Sequence, residues 1–278
     1  MGPIPAEHRG VAAARVESVV LLAGGRGSRL GGVWKALLRR DGASLLSAAL
    51  AAVVESLPRA RVVVVGPDAL RPALAESPHG STVTLVREEP AFAGPLAAVA
   101  AGLDAARDVA GHGSAGEPGP ASGLTLLLAV DYVRPRGIVA ALAARASELG
   151  TDGPRNAGAE KPATEEGVRA EGDPGEAEPG GPGPDALVPV DASGRQQPLA
   201  ALWRSDSLRR ALEAAARPAA GVAGAGPLSV RLADAPMRRI TRAEGVVVRE
   251  WRTVEPHLFD DVDTWEDAAA HGIQGDRA

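Results

Sequence analysis

Apolar residues fall into two patterns along this chain, short dense runs and longer stretches of helical spacing. The runs are residues 16–22 (VESVVLL), 61–65 (RVVVV), 82–86 (TVTLV) and 124–130 (LTLLLAV). Such runs predict buried strands, and the last, the most hydrophobic, predicts a central one. Between them, 44–56, 94–109 and 136–149 repeat apolar residues at helical spacing, with a weak helix at 69–75. In the first these are Leu45, Leu46, Ala49, Leu50, Val53 and Val54. Pro95 falls in the first turn of the second, where its missing N–H costs nothing. Strands that alternate with helices predict parallel βαβ units.

The second half is less regular. Runs at 186–190 and 199–203 flank a turn at 191–194 (DASG), which predicts a hairpin. A helix at 208–216 follows, then 227–233, read as helix in preference to strand, and a strand at 245–250. A last helix at 264–271 would be capped by Asp263 or Thr264. Residues 111–122 are a Gly/Pro/Ser loop, and 1–15 a polar lead-in expected to be disordered. Residues 151–184 hold eight Gly and six Pro, and Val168 is their one apolar residue larger than alanine. Too little surface can be buried there to offset the entropy of ordering it. A disordered insertion within a single domain of residues 16–274 is expected.

Composition narrows the classes. Hydrophobic residues make up 45% of the 278 but aromatics only 3%, so the core must be built of Ala, Val and Leu. Cysteine is absent, which excludes disulfides, zinc–thiolate sites and a cysteine nucleophile. Residues 1–14 lack the apolar core of a signal peptide, and no run approaches the ~20 residues that span a membrane. These features predict a cytoplasmic protein without membrane contact, a monomer or weak homo-oligomer. The net charge of −5 resides in 151–184, with its eight acids and three bases. The remainder is neutral and carries no electrostatic footprint for nucleic acid.

The candidate chemistry starts where the first strand ends, in Leu22-Ala23-Gly24-Gly25-Arg26-Gly27-Ser28-Arg29-Leu30-Gly31-Gly32-Val33-Trp34-Lys35. Glycines after a strand let backbone N–H groups converge on phosphate oxygens, and Arg29 and Lys35 add positive charge. No Gly-Lys-Ser/Thr follows, so this is not a P-loop, nor is it the dinucleotide fingerprint. Its place at the carboxyl edge of a parallel sheet is where such folds bind ligands. Asp131 directly follows the fourth strand, as a loop or capping acid or as a hard ligand suited to Mg²⁺. Asp261 and Asp263 share one face if their segment is extended. Glu89 follows the third strand, and Arg195 and Gln197 lie in the hairpin. The five histidines show no metal-ligand spacing.

The ordered set of Leu22-Ala23-Gly24-Gly25, Ser28-Arg29, Leu30-Gly31, Lys35, Gly94-Pro95-Leu96, Asp131, Gln197-Pro198-Leu199 and Asp261-Val262-Asp263-Thr264 resembles the molybdenum cofactor guanylyltransferases of the MobA-like NTP transferase family. Trp34 stands where that family usually has an acid, and Trp265 where it has a proline. The resemblance implies the nucleotide-diphospho-sugar transferase fold, a three-layer α/β/α sandwich with a mostly parallel, Rossmann-like sheet. It also implies Mg²⁺-dependent transfer of GMP from GTP to the phosphate of (molybdenum-)molybdopterin, with pyrophosphate released. Lys35 and Arg29 would be catalytic. Leu22, Ala23, Gly24, Gly25, Lys35, Glu89 and Asp131 would bind the nucleotide. Asp131, Asp263 and Asp261 would hold the metal, and Arg195 and Gln197 the acceptor. A relative using CTP or another NTP with a different phosphorylated acceptor stays open, as does a non-catalytic nucleotide-binding relative.

Overall fold

The computed structural model describes residues 15–25, 27–109, 123–150, 183–217 and 226–275. Most of the lead-in, Arg26, the 111–122 loop and all but the last two residues of the 151–184 insertion lie outside them. In chain order the strands are β1 (Val16–Leu22), β2 (Arg39–Arg40), β3 (Ala43–Ser44), β4 (Arg61–Val65), β5 (Val83–Val86), β6 (Leu124–Ala129), β7 (Ala186–Val190), β8 (Ala200–Arg204) and β9 (Val248–Arg252). The helices are α1 (Leu45–Ser56), α2 (Arg71–Glu76), α3 (Pro95–Val109), α4 (Pro135–Ala144), α5 (Ser205–Ala215), α6 (Leu228–Arg231), α7 (Arg238–Thr241) and α8 (Trp265–Ala270). Among the described residues no helix is long and apolar enough to cross a membrane.

Seven strands form one sheet in the order β5-β4-β1-β6-β8-β7-β9. β1 lies parallel to β4 and β6, β4 to β5, and β7 to β9, while β8 runs antiparallel to both its neighbours. The strand expected to be central, β6, is fourth of the seven and buried throughout. Strand alternation makes the layers. Val19 and Leu21 of β1 pack with Leu46 and Leu50 of α1 and Ile138 and Leu142 of α4. Val20 and Leu22 face the other way, toward Leu96 and Val99 of α3 and Leu208 and Leu212 of α5. The result is a mostly parallel α/β/α sandwich. Gly102 lets α3 sit close on the sheet, because a Cβ there would come within 2.4 Å of Val20 Cγ1.

Several local expectations are corrected. The 136–149 helix ends at Ala144 and tightens into a 3₁₀ turn, Ala146–Leu149, before Gly150 at a φ of 62°. The last strand starts at Val248 rather than 245, because Asp185 Oδ2 takes the Val247 N–H at 2.8 Å and Gly245 turns at a φ of 76°. Asp185 is buried and also accepts from Ser207 Oγ at 2.6 Å, tying β7 to α5. The expected hairpin is present as β7 and β8, yet these pair only at Ala186–Trp203 and Leu187–Leu202. β8 pairs more extensively with β6. The 227–233 helix is a single turn, and α7 and the small β2–β3 hairpin were not anticipated.

The parallel register sorts the loops between two rims. Leu22 pairs with both Val65 and Ala129, so the segments after β1, β4 and β6 emerge together at the carboxyl rim. At the opposite rim, Arg204 pairs with Leu124 and its Nη1 donates to the carbonyls of Leu149 at 3.0 Å and Gly150 at 3.3 Å. Gly183 lies against the same Leu149 carbonyl.

Candidate active site

The turn after β1 begins with Leu22 and Ala23 buried and Gly24 and Gly25 exposed. Ala23 N–H donates to Val65 O at 2.8 Å, which anchors the start of the turn to β4. The loop then closes on Gly27, whose carbonyl accepts from Leu30 at 2.8 Å and Gly32 at 3.0 Å. Gly27 has a φ of 51°, and a Cβ there would lie 2.1 Å from Val33 O, so no other residue fits this turn. The 3₁₀ turn Ser28–Leu30 buries Leu30 and leaves Arg29 exposed. A second 3₁₀ turn starts at Lys35.

Asp131 lies two residues past Ala129, at the level of Gly24, and Val130 N–H donates to Leu22 O at 3.1 Å. The chain returns beside it much later. Val262 N–H donates to Asp131 O at 3.1 Å, and Val133 N–H to Asp260 O at 2.9 Å. This short extended pairing turns Val262 inward and Asp261 and Asp263 toward Asp131. Val262 joins Leu30, Leu38, Leu45, Val133, Ala268 and Ile273 in a separate apolar cluster beneath the site. One packed unit therefore supports the segments carrying Arg29, Lys35, Asp131 and Asp263. Thr264 caps α8, and Asp267 Oδ2 closes a capping box that also holds the Asp263 N–H at 3.1 Å. Asp263 is thereby spared from capping.

Carboxylate oxygens of Asp131, Asp261 and Asp263 lie within 4.8 Å of one another. Lys35 Nζ donates to Asp131 Oδ2 at 3.0 Å and to Asp263 Oδ1. Arg29 Nη1 is 3.5 Å from Asp263 Oδ2. Burial alone would lower the Lys35 pKa, but Asp131 and Asp263 outweigh it and raise it, so the ammonium persists through neutral pH. Burial and the like charges of Asp131 and Asp263 push the Asp261 carboxyl up. Three clustered carboxylates beside an ammonium fit an oxygen-loving divalent cation and the phosphates it would accompany.

The flanks differ from expectation in detail. Glu89 is exposed, whereas Glu88 is buried, and a Cβ on Gly24 would lie 3.7 Å from its Oε1. Glu88 Oε1 also accepts the Phe92 N–H at 3.1 Å. Trp34, next to Lys35, stacks with Phe92, their ring centroids 6.0 Å apart and planes 8° from parallel. On the other flank Gln197 accepts from Tyr132 Oη at 3.0 Å and donates to Asp191 Oδ2 at 2.7 Å. Asp191 Oδ1 takes the N–H groups of Ser193 and Arg195, leaving the Arg195 side chain exposed. Burial, then Asp131 and Asp261, push the Tyr132 phenol up and keep it protonated as a donor. Sequence reasoning missed Glu88, Tyr132 and Asp191. For Tyr132 a signal existed, since it is the sole tyrosine and adjoins Asp131.

The sequence model of the MobA-like NTP transferase domain matches residues 19–225. The chain belongs to that family. As a MobA-like NTP transferase it is a nucleotidyltransferase. Among solved structures, Rv0371c from Mycobacterium tuberculosis H37Rv is similar in fold, with a TM-score of 0.54 and 18% identity over 93% of this chain and 98% of its own. Its complex with manganese gives 0.51 and 15%, over 93% and 98%. A nucleotidyl transferase from Methanothermobacter thermautotroptrophicus gives 0.51 and 18%, over 92% and 95%. No curated protein matches the chain.

Proposed function

We propose that the protein transfers GMP from GTP to the phosphate of molybdopterin carrying molybdenum, with Mg²⁺ as cofactor. The observation that carries this reading is the meeting of Lys35, Asp131, Asp261 and Asp263 beside the glycine turn. An acceptor phosphate oxygen forms a bond to the α-phosphorus in line, and the bond to the β-phosphate breaks. Pyrophosphate leaves with that electron pair. The attacking phosphate is already ionised at neutral pH, so no general base is needed. Lys35 and Arg29 offset charge on the transferring phosphoryl group, and the rigid turn positions it. Asp131, Asp261 and Asp263 would hold Mg²⁺, which supplies Lewis-acid neutralisation of phosphate charge when bound. The manganese complex of a neighbour with the same fold supports a divalent cation in this fold.

The buried Glu88 beside Gly24 supports GTP. A carboxylate accepts only, and guanine offers a ring N–H and an amino group side by side, whereas cytosine offers an amino group next to a ring acceptor. Glu88 thus takes the part first expected of Glu89. Arg195 is exposed and its charge acts on Asp261, which supports a role in meeting a phosphorylated acceptor.

The test incubates the protein with labelled GTP, Mg²⁺ and molybdenum-loaded molybdopterin, with CTP in parallel. Pyrophosphate and a guanine dinucleotide product are expected from GTP. Release from CTP alone, or none with this acceptor, would overturn the proposal.

A further inference from the structure

We infer that Trp34 and Phe92 form an aromatic wall on which the base of the nucleoside triphosphate stacks, making them determinants of nucleotide affinity. The inference rests on the nucleotidyl-transfer reading and extends it to the nucleoside end. Lys35 and the carboxylates stand over β1 and β6, while Glu88 and Phe92 follow β5, on the other side of β1 beyond β4. The strands β6 and β5 lie three spacings apart, about 14 Å, and Glu88 reaches back from the β5 end to Gly24 beside β1. A nucleotide with its phosphates at Lys35 therefore extends its base toward Glu88 and the ring pair.

Three observations set this pair apart from ordinary packing. Both rings are only partly buried, whereas Trp203, which serves the core, is 0% exposed. Phe92 sits at a φ of 62°, a left-handed conformation costly for a bulky residue and typical of ligand-contacting segments. Its N–H is bound to Glu88 Oε1, so the same carboxylate that borders Gly24 also sets the ring's backbone. A base in this space would meet Glu88 with its edge and the aromatic pair with its face. Stacking of this kind tolerates any base, so it contributes affinity while Glu88 discriminates.

Calorimetric titrations with GTP, CTP and inorganic tripolyphosphate, each with Mg²⁺, test the inference. Tripolyphosphate engages the phosphate end but has no base. Trp34→Leu should weaken GTP and CTP about tenfold or more and leave tripolyphosphate binding as it was. Trp34→Phe should restore most of the nucleotide affinity. Phe92→Leu reads the same contact from the other ring if Trp34→Leu does not fold. Unchanged GTP affinity in these leucine variants, or parallel loss of GTP and tripolyphosphate, would overturn the aromatic wall. A wild-type protein that binds tripolyphosphate but no nucleoside triphosphate would instead overturn the nucleotidyl-transfer reading beneath it.

Discussion

The two flanks of the acid cluster are held by different means. The Lys35–Asp131–Asp263 end stands on paired backbone and a buried apolar cluster. The Asp191–Gln197 end stands on side-chain hydrogen bonds that converge on one partly exposed carboxylate. Packed register is stiff and suits chemistry that fails when misplaced by an ångström. A hydrogen-bonded hairpin can be rebuilt residue by residue, which suits recognition of an acceptor. The contrast predicts that lesions at the first end lower turnover and lesions at the second alter acceptor affinity.

The largest effect is expected for Lys35→Ala, a loss of roughly 10²–10³ in kcat in a pyrophosphate-release assay, with thermal unfolding showing an intact fold. Near-normal turnover would remove Lys35 from the mechanism. Val262→Ala touches no reacting group, yet it opens the apolar cluster under Asp261 and Asp263. It should cost about 1–3 kcal/mol in urea unfolding and lower kcat as well. Unaltered kcat at reduced stability would show that the cluster does not aim the carboxylates. At the other end, Asp191→Ala should raise the acceptor KM about tenfold, the worth of hydrogen bonds to a charged group, with the GTP KM unmoved. Tyr132→Phe should cost only about 1 kcal/mol, read as a small shift in the denaturation midpoint.

The acid limb separates the two ends further. Partial burial raises the Asp191 pKa, but hydrogen bonds from Ser193, the Arg195 backbone and Gln197 prevail and hold it below the ordinary value. A depressed folded pKa means stability that is present above the unfolded value, about 3.9, and lost as pH falls through the folded one. Wild type should therefore exceed Asp191→Asn in stability at neutral pH, and the gap should close on acidification. A gap independent of pH would assign the difference to shape alone.

The sheet was legible because most of its strands are short, mainly apolar runs, and Asp131 because a strand end marks a rim. The alternation of Asp261 and Asp263 was legible too, although the segment it bridges, around Tyr132, was not, since pairing across the chain leaves no local signature. Glu88 and Glu89 could not be told apart because β5 ends at Val86, and beyond a strand's end period-two phase no longer says which side chain turns inward. The contact of Trp34 with Phe92 joins two loops, where no periodicity operates. The shift of the last strand depended on Asp185, a charged residue whose burial only the assembled fold produces.

Gly150 and Gly183, 33 positions apart in the chain, come together beside the Leu149 carbonyl, which Arg204 also binds. This doorway is a full strand length, about 20 Å, from the carboxylates on the other rim. A change of chain length between Gly150 and Gly183 should therefore leave Lys35 and its acids in place, read as unchanged turnover. The fold thus offers a natural port for grafting, at the end of the sheet away from the acid cluster.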